Sequence, residues 1–159
     1  MHSFLPKQRI FMRKVLGLGN ALTDILLQVS EDDLRELGLP KGSMNLITME
    51  QAERIQMRFA SVRKRMVAGG SASNTITTIT QLGGKAAFIG KIGNDEVGDF
   101  YREDLIKNGV KPLLLTSEDK MSGCSIVLIT PDGERTFATY LGAAEALVDR
   151  FYSENKEIK

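Results

Sequence analysis

Apolar residues along this chain fall into short runs and helical stripes that alternate, with glycine at many of the boundaries. Residues 14–19 (KVLGLG) form a short apolar run closing on glycine, the pattern of a first buried parallel strand, and residues 25–29 predict another strand. Ser30 predicts a helix N-cap, with Asp33 as the acidic partner of a capping box and Gly38 and Pro40 as the stop. Residues 42–47 predict a return strand. Thr48 and Gln51 repeat the capping box, and the helix they start carries Ala52, Ile55, Phe59 and Val62 on one face. The pattern centres on residues 67–93 (VAGGSASNTITTITQLGGKAAFIGKIG): the end of a strand, two glycines, a helix with Ser71 as N-cap, then a second strand over 86–89. Ile76, Ile79 and Leu82 give that helix its buried face, and Gly83 ends it. Asn94 is expected to cap a further helix bearing Val97, Phe100, Tyr101 and Leu105 and stopped by Gly109. Its first turns hold Asp95, Glu96 and Asp99, where acids favour the helix dipole. Residues 111–115 predict a strand, 125–130 and 135–141 a hairpin around Pro131-Asp132-Gly133, and 143–159 a charged helical tail.

This alternation predicts an α/β fold on a parallel sheet. The hairpin and the segment 24–47 break the alternation, and are expected to form an antiparallel flap on one sheet edge. Residues 1–11 lack the apolar core of a signal peptide and are expected to be a non-structural extension before Met12.

Composition narrows the chemistry. The 159 residues suffice for one core, and 21 basic against 20 acidic side chains leave a formal net charge of +1. That balance argues against partners held by bulk charge, so neither nucleic acid nor a membrane surface is expected. No apolar run approaches a membrane span. A single cysteine, Cys124, suits a reducing, cytoplasmic setting, and with one histidine, His2, there is no ligand set for zinc. Arg54, Arg58, Arg63, Lys64 and Arg65 are open to two readings, a phosphate or nucleic-acid patch or a solvated face answered by acids, and the neutral total favours the second.

Gly17-Leu-Gly19 begins like a dinucleotide fingerprint but lacks its third glycine, and no phosphate-binding P-loop, nucleophile elbow or paired-histidine zinc motif occurs. What remains is Asp24 just past the first strand, whose carboxylate can accept two hydroxyl groups, a natural grip on a vicinal diol. Asn20 and Asn74 offer amides that donate and accept, and Gly69 and Gly70 bring bare backbone donors. Together they suit a ribose or similar polyol at the carboxyl ends of the strands. Taken singly, the glycine pair also reads as a tight strand-to-helix turn and Asp24 as a turn aspartate.

Gly19-Asn20-x-x-x-Asp24, Gly69-Gly70-Ser-Ala-Ser-Asn74, and Gly83-Gly84 through Gly90-x-x-Gly93-x-Asp95-x-x-Gly98 follow one another in an order that resembles the amino-terminal half of ribokinase-like (PfkB) sugar and nucleoside kinases. The resemblance implies the corresponding half of a three-layer α/β/α sandwich over residues 12–159, with a small antiparallel β lid from about 24–47 and 111–141. It implies that Asn20, Asp24, Gly69, Gly70 and Asn74 hold sugar hydroxyls. Ser71, where sugar kinases often carry lysine, looks like the adenosine kinase branch. There Phe137 and Leu141 would face a purine and Arg135 would lie near the phosphate, although each also reads as an ordinary hairpin residue. The activity implied is ATP-dependent phosphorylation of a hydroxyl, best the adenosine 5′-OH, with ribose- or fructose-type sugars and a non-catalytic binding or dimerising module as alternatives. ATP and Mg²⁺ are the implied cofactors of the full-length protein, and pairing of lid strands implies a homodimer. The family's catalytic aspartate in Gly-Ala-Gly-Asp does not occur in this sequence, so a chain inactive by itself, as a truncated product, is the expectation.

Overall fold

A computed structural model describes residues 14–146. The expected extension at 1–11 and the tail from 147 onward lie outside the described residues. The first apolar run is β1 (Lys14–Leu18), which pairs in parallel with β5 (Lys85–Gly93), and β5 pairs in parallel with β6 (Lys111–Ser117). Helices α3 (Ser71–Gln81) and α4 (Glu96–Lys107) share one face of this sheet, where Ile76, Tyr101 and Leu105 join Ala86, Phe88 and Ile92 in one apolar cluster. Bare backbone lets α3 sit down on β1. A Cβ at Gly17 would overlap Ile76 Cγ1, and one at Gly19 would stand 2.9 Å from the Cβ of Ala72. Helix packing therefore accounts for the two glycines that begin like a dinucleotide fingerprint. The opposite face of the sheet carries Leu16, Leu18, Leu113 and Leu115, each at least 40% exposed.

A second, five-stranded sheet has the order β3-β8-β7-β2-β4, formed by β2 (Leu22–Gln28), β3 (Met44–Leu46), β4 (Arg65–Gly69), β7 (Gly123–Ile129) and β8 (Arg135–Tyr140). Helices α1 (Glu31–Leu37) and α2 (Met49–Arg58) cover one face, where Leu34, Ala52 and Ile55, with Phe59 just past α2, pack on Ile25, Leu27, Ile126 and Leu128. The capping boxes Ser30/Asp33 and Thr48/Gln51 both form, because each closes between residues three apart and needs no tertiary partner.

The mixed α/β architecture is the one expected, with four corrections of detail. The flap is mixed rather than antiparallel: β7–β8 and β2–β4 run antiparallel, but β2–β7 and β3–β8 run parallel. Residues 111–117 belong to the parallel sheet and not to the lid, since α4 returns the chain beside β5, whereas β4 joins the lid sheet beside β2. Gly70, at φ +91°, is the N-cap of α3 in place of Ser71, and no side chain caps that helix. Asp95 caps α4 in place of Asn94, its carboxylate accepting from Gly98 N–H at 2.8 Å. The charged tail begins as a short 3₁₀ turn at Gly142–Ala146.

Candidate functional site

The two sheets meet where the chain passes from β1 to β2 and from β4 to α3. Asn20 and Ala21 make the first passage, and Gly70 makes the second. Asp24 lies inside β2, paired with β4 on one side and β7 on the other, rather than in a loop after the first strand. Gly69 closes β4, and its bare α-carbon faces the Asp24 carboxylate: a Cβ there would stand 2.5 Å from Oδ1 and 2.6 Å from Oδ2. A Cβ on Gly70 would stand 2.7 Å from the carbonyl oxygen of Asn20. Asn20, Asp24, Gly69 and Gly70 are thus brought together. Ser71 and Asn74 lie exposed in the first turn of α3, where Asn74 N–H makes its helical bond to the Gly70 carbonyl at 2.9 Å. The amides ahead of Asn74 have no such partner within the helix, and with no side-chain cap they are left as donors.

Tyr101 braces this corner from beneath. It is buried, and its hydroxyl donates to the Gly69 carbonyl at 3.4 Å. Desolvation holds its phenol well above the usual tyrosine range. The same cause raises the Asp24 carboxyl above its ordinary value.

Strand register places the remaining candidates on the face of the five-stranded sheet that bears Asp24. Asp24 pairs with Ser125, and Ser125 with Thr139, giving one row across three strands. The Ser125 and Thr139 hydroxyls are buried and 2.8 Å apart. Leu26, Val127 and Phe137 form the next row, and Gln28, Ile129 and Arg135 the one beyond. Phe137 is therefore close to the row of Asp24, while exposed Arg135 lies about 13 Å along the strand from Thr139 at the ordinary rise per residue. Leu141 follows β8 half-buried, its carbonyl oxygen against Gly123. This buried hydroxyl pair joins β7 to β8 on the face that bears Asp24.

Asp95 ties the parallel sheet to the lid. Its second carboxylate oxygen accepts from Ser122 N–H at 2.7 Å, and Gly93 N–H donates to Ser122 Oγ at 2.9 Å, immediately before β7. On the basic face, Arg58 is answered by Asp33 at 2.8 Å and Glu36 at 2.5 Å, in line with the solvated reading. Cys124 is buried, and desolvation pushes its thiol up to about 11. Among the described residues, no three His, Cys, Asp or Glu side chains gather as a metal-ligand set, and no helix is long and apolar enough to cross a membrane.

Comparison with known proteins bears on the family and the fold. Residues 42–158 match the model of the pfkB family carbohydrate kinases. Probable fructokinase-5 of Arabidopsis thaliana is 35% identical over 91 residues, covering 57% of this chain and 28% of that protein. Aminoimidazole riboside kinase of Salmonella typhimurium is 42% identical over 74 residues, covering 46% and 23%. Among solved structures, adenosine kinase from Sinorhizobium meliloti superposes with a TM-score of 0.72 at 35% identity, over 84% of this chain and 40% of that one. Anopheles gambiae adenosine kinase, in complex with P1,P4-di(adenosine-5) tetraphosphate, gives 0.78 at 25%, over 87% and 44%. In each case the chain spans less than half the length of the protein it matches.

Proposed function

The chain belongs to the pfkB family of carbohydrate kinases, and from that premise we propose that it carries the substrate-binding part of an ATP-dependent kinase whose acceptor is the 5′-hydroxyl of adenosine. The observation that carries the reading is the Asp24 carboxylate, half-buried and seated against Gly69 beside the start of α3. There it accepts two ribose hydroxyls, while the open amides of the α3 start donate to the sugar. Asn20, Asn74 and Ser71 border the same corner. Phe137 and Leu141 supply apolar surface for a base, and Arg135 serves the phosphate side from the outer end of β8. The five-stranded sheet acts as the lid that excludes water once the sugar is bound.

The described residues orient the acceptor but do not activate it. They contain no carboxylate at a Gly-Ala-Gly-Asp helix start and no gathered acidic ligand set to place Mg²⁺ with ATP. Among the described residues no donor set fits the nucleotide and metal, and on this reading they hold the acceptor without activating it.

A fructose-type sugar kinase is the second reading, favoured by the 35% identity to a probable fructokinase. Pairing of two copies along β3 is supported by Met44 and Leu46, exposed at 71% and 67% on the lid's edge strand. Calorimetry on the 159-residue chain with adenosine, ribose and fructose separates these readings. Adenosine heat that disappears in Asp24→Ala is expected. Heat from fructose alone moves the assignment to the sugar kinases, and no heat from any of the three ends it.

A further inference from the structure

We infer that Asp104 and Tyr101 are positioning residues for the sugar site, and that α4 holds the end of β4 through them so that Asp24 keeps its seat on Gly69. The inference rests on the reading of Asp24 as the carboxylate that holds the acceptor. Val97, Tyr101 and Asp104 stand four and then three residues apart, so they share one stripe of α4. Each reaches the β2–β4 ladder beside Asp24. Asp104 Oδ2 accepts from Ala68 N–H at 3.2 Å, Tyr101 donates to the Gly69 carbonyl at 3.4 Å, and Thr23 Oγ1 donates to the Val97 carbonyl at 3.4 Å. Thr23 pairs with Ala68 and Leu22 with Gly69, so all three bonds fall within two successive pairs of that ladder.

The Ala68 bond matters most. β4 ends the order of its sheet, so among the described residues no further strand accepts from its outer amides. Ala68 is buried, and a buried amide without an acceptor is costly, so the half-buried Asp104 carboxylate fixes the chain immediately before Gly69. Backbone and carboxylate are in close contact at that next residue. A Cβ on Gly69 would stand 2.5 Å from Asp24 Oδ1, so a displacement of β4 is felt directly at the carboxylate. The burial that raises the Asp24 carboxyl above its ordinary value follows from this close seat. Tyr101 and Leu105 root α4 in the cluster with Phe88 and Ile92, so the parallel sheet is the frame against which the sugar corner is set.

The test is calorimetry with adenosine on the full 159-residue chain across a series of pH values, using Asp104→Ala, Asp104→Asn and Tyr101→Phe. Asp104→Ala removes the acceptor and Asp104→Asn keeps one. At pH 7 the first should bind adenosine about tenfold more weakly, and the second should stay within about threefold of the unchanged chain. Both remove the same charge, so a difference between their acid limbs reports the seat and not the charge. Adenosine affinity should fall off at lower pH in Asp104→Ala than in Asp104→Asn, because water that reaches a loosened Asp24 returns its carboxyl toward 3.8. Tyr101→Phe keeps the ring packed beside Phe88 and should weaken adenosine binding to an intermediate degree. An Asp104→Ala chain that melts lower yet binds as tightly, equal losses in the alanine and asparagine variants, or acid limbs that coincide overturn the positioning role while leaving Asp24 in place. Should Asp104→Ala fail to fold, full affinity in Tyr101→Phe overturns it and reduced affinity at an unchanged melting temperature supports it. No adenosine binding by the unchanged chain overturns the Asp24 reading and this role with it.

Discussion

The carboxylate of Asp24 lies across the bare α-carbon of Gly69, so that a methyl group there would meet Oδ1 at 2.5 Å and Cγ at 2.6 Å. Two sequence features that look independent, a glycine pair before a helix and an aspartate in a strand, are therefore one structural unit. Gly69→Ala should displace the carboxylate from its seat. Overpacking of this kind costs about 1–3 kcal/mol. We expect a melting temperature several degrees lower and adenosine affinity reduced by more than about tenfold, since the carboxylate that pairs the hydroxyls has moved. Calorimetry and thermal melts on the same sample check both, and undiminished affinity would show that the glycine is there for the turn alone.

Asp24→Asn should stabilise the protein and disable it. Desolvation raises the Asp24 pKa, so above the folded value the native state holds a charge that the unfolded chain would solvate better. The associated stability is fully present below the unfolded value near 3.8 and is lost as pH rises through the folded one. The asparagine carries no such charge. Its melting temperature at pH 7 should exceed that of the unchanged chain, with the gap closing in acid. Adenosine binding should fall at the same time, because a neutral amide oxygen accepts more weakly than a carboxylate. A variant less stable at pH 7 would mean that the carboxylate is held by favourable bonds and not strained by burial.

Some of this was legible in the sequence, and the division follows the range of the interactions. The capping boxes Ser30/Asp33 and Thr48/Gln51 and the left-handed stop at Gly38 form as read, because each is settled within a few residues. The motif order points to Asn20, Asp24, Gly69 and Gly70, and the fold brings those four together. Strand partnership was not legible. Nothing local tells residues 111–117 to join β5 while residues 65–69 join β2, as both are short runs of similar character whose neighbours are chosen by tertiary packing. The contact of Ser125 with Thr139 was not legible for the same reason, since 14 residues separate hydroxyls that only the hairpin register brings to 2.8 Å.

The start of α1 should carry its own acid transition. Arg58, with the hydroxyl and backbone N–H of Ser30, holds the Asp33 carboxyl down to about 2 from an ordinary 3.8. A lowered folded value means stability that is present above 3.8 and is lost as pH falls through about 2. Asp33→Ala should thus melt below the unchanged chain at pH 5, and the two should converge at pH values below about 2. Because the pair is exposed, high salt should narrow the pH 5 difference. A gap that persists into strong acid would assign the effect to the Ser30 N–H bond of the capping box, which a protonated carboxyl can still accept, instead of to the charge.

Asp95 should prove to be a joint between the two sheets, not only a helix cap. One oxygen accepts from Gly98 N–H at 2.8 Å and completes the first turn of α4. The other accepts from Ser122 N–H at 2.7 Å, in the residue that precedes β7. The Ser122 hydroxyl accepts in turn from Gly93 N–H at 2.9 Å, at the end of β5. Asp95→Ala removes the cap, worth about 0.5–2 kcal/mol. It also leaves the Ser122 amide unsatisfied, at about 1–3 kcal/mol. Asparagine keeps a single carbonyl oxygen and cannot serve both amides as two carboxylate oxygens do. The unchanged chain should therefore melt highest, Asp95→Asn below it and Asp95→Ala lowest. A cap alone gives a different pattern, because asparagine caps helices about as well as aspartate and would melt with the unchanged chain. Amide hydrogen exchange localises the effect: Ser122 should exchange faster in both variants, while the amides of α1, which share no bond with Asp95, should keep their protection.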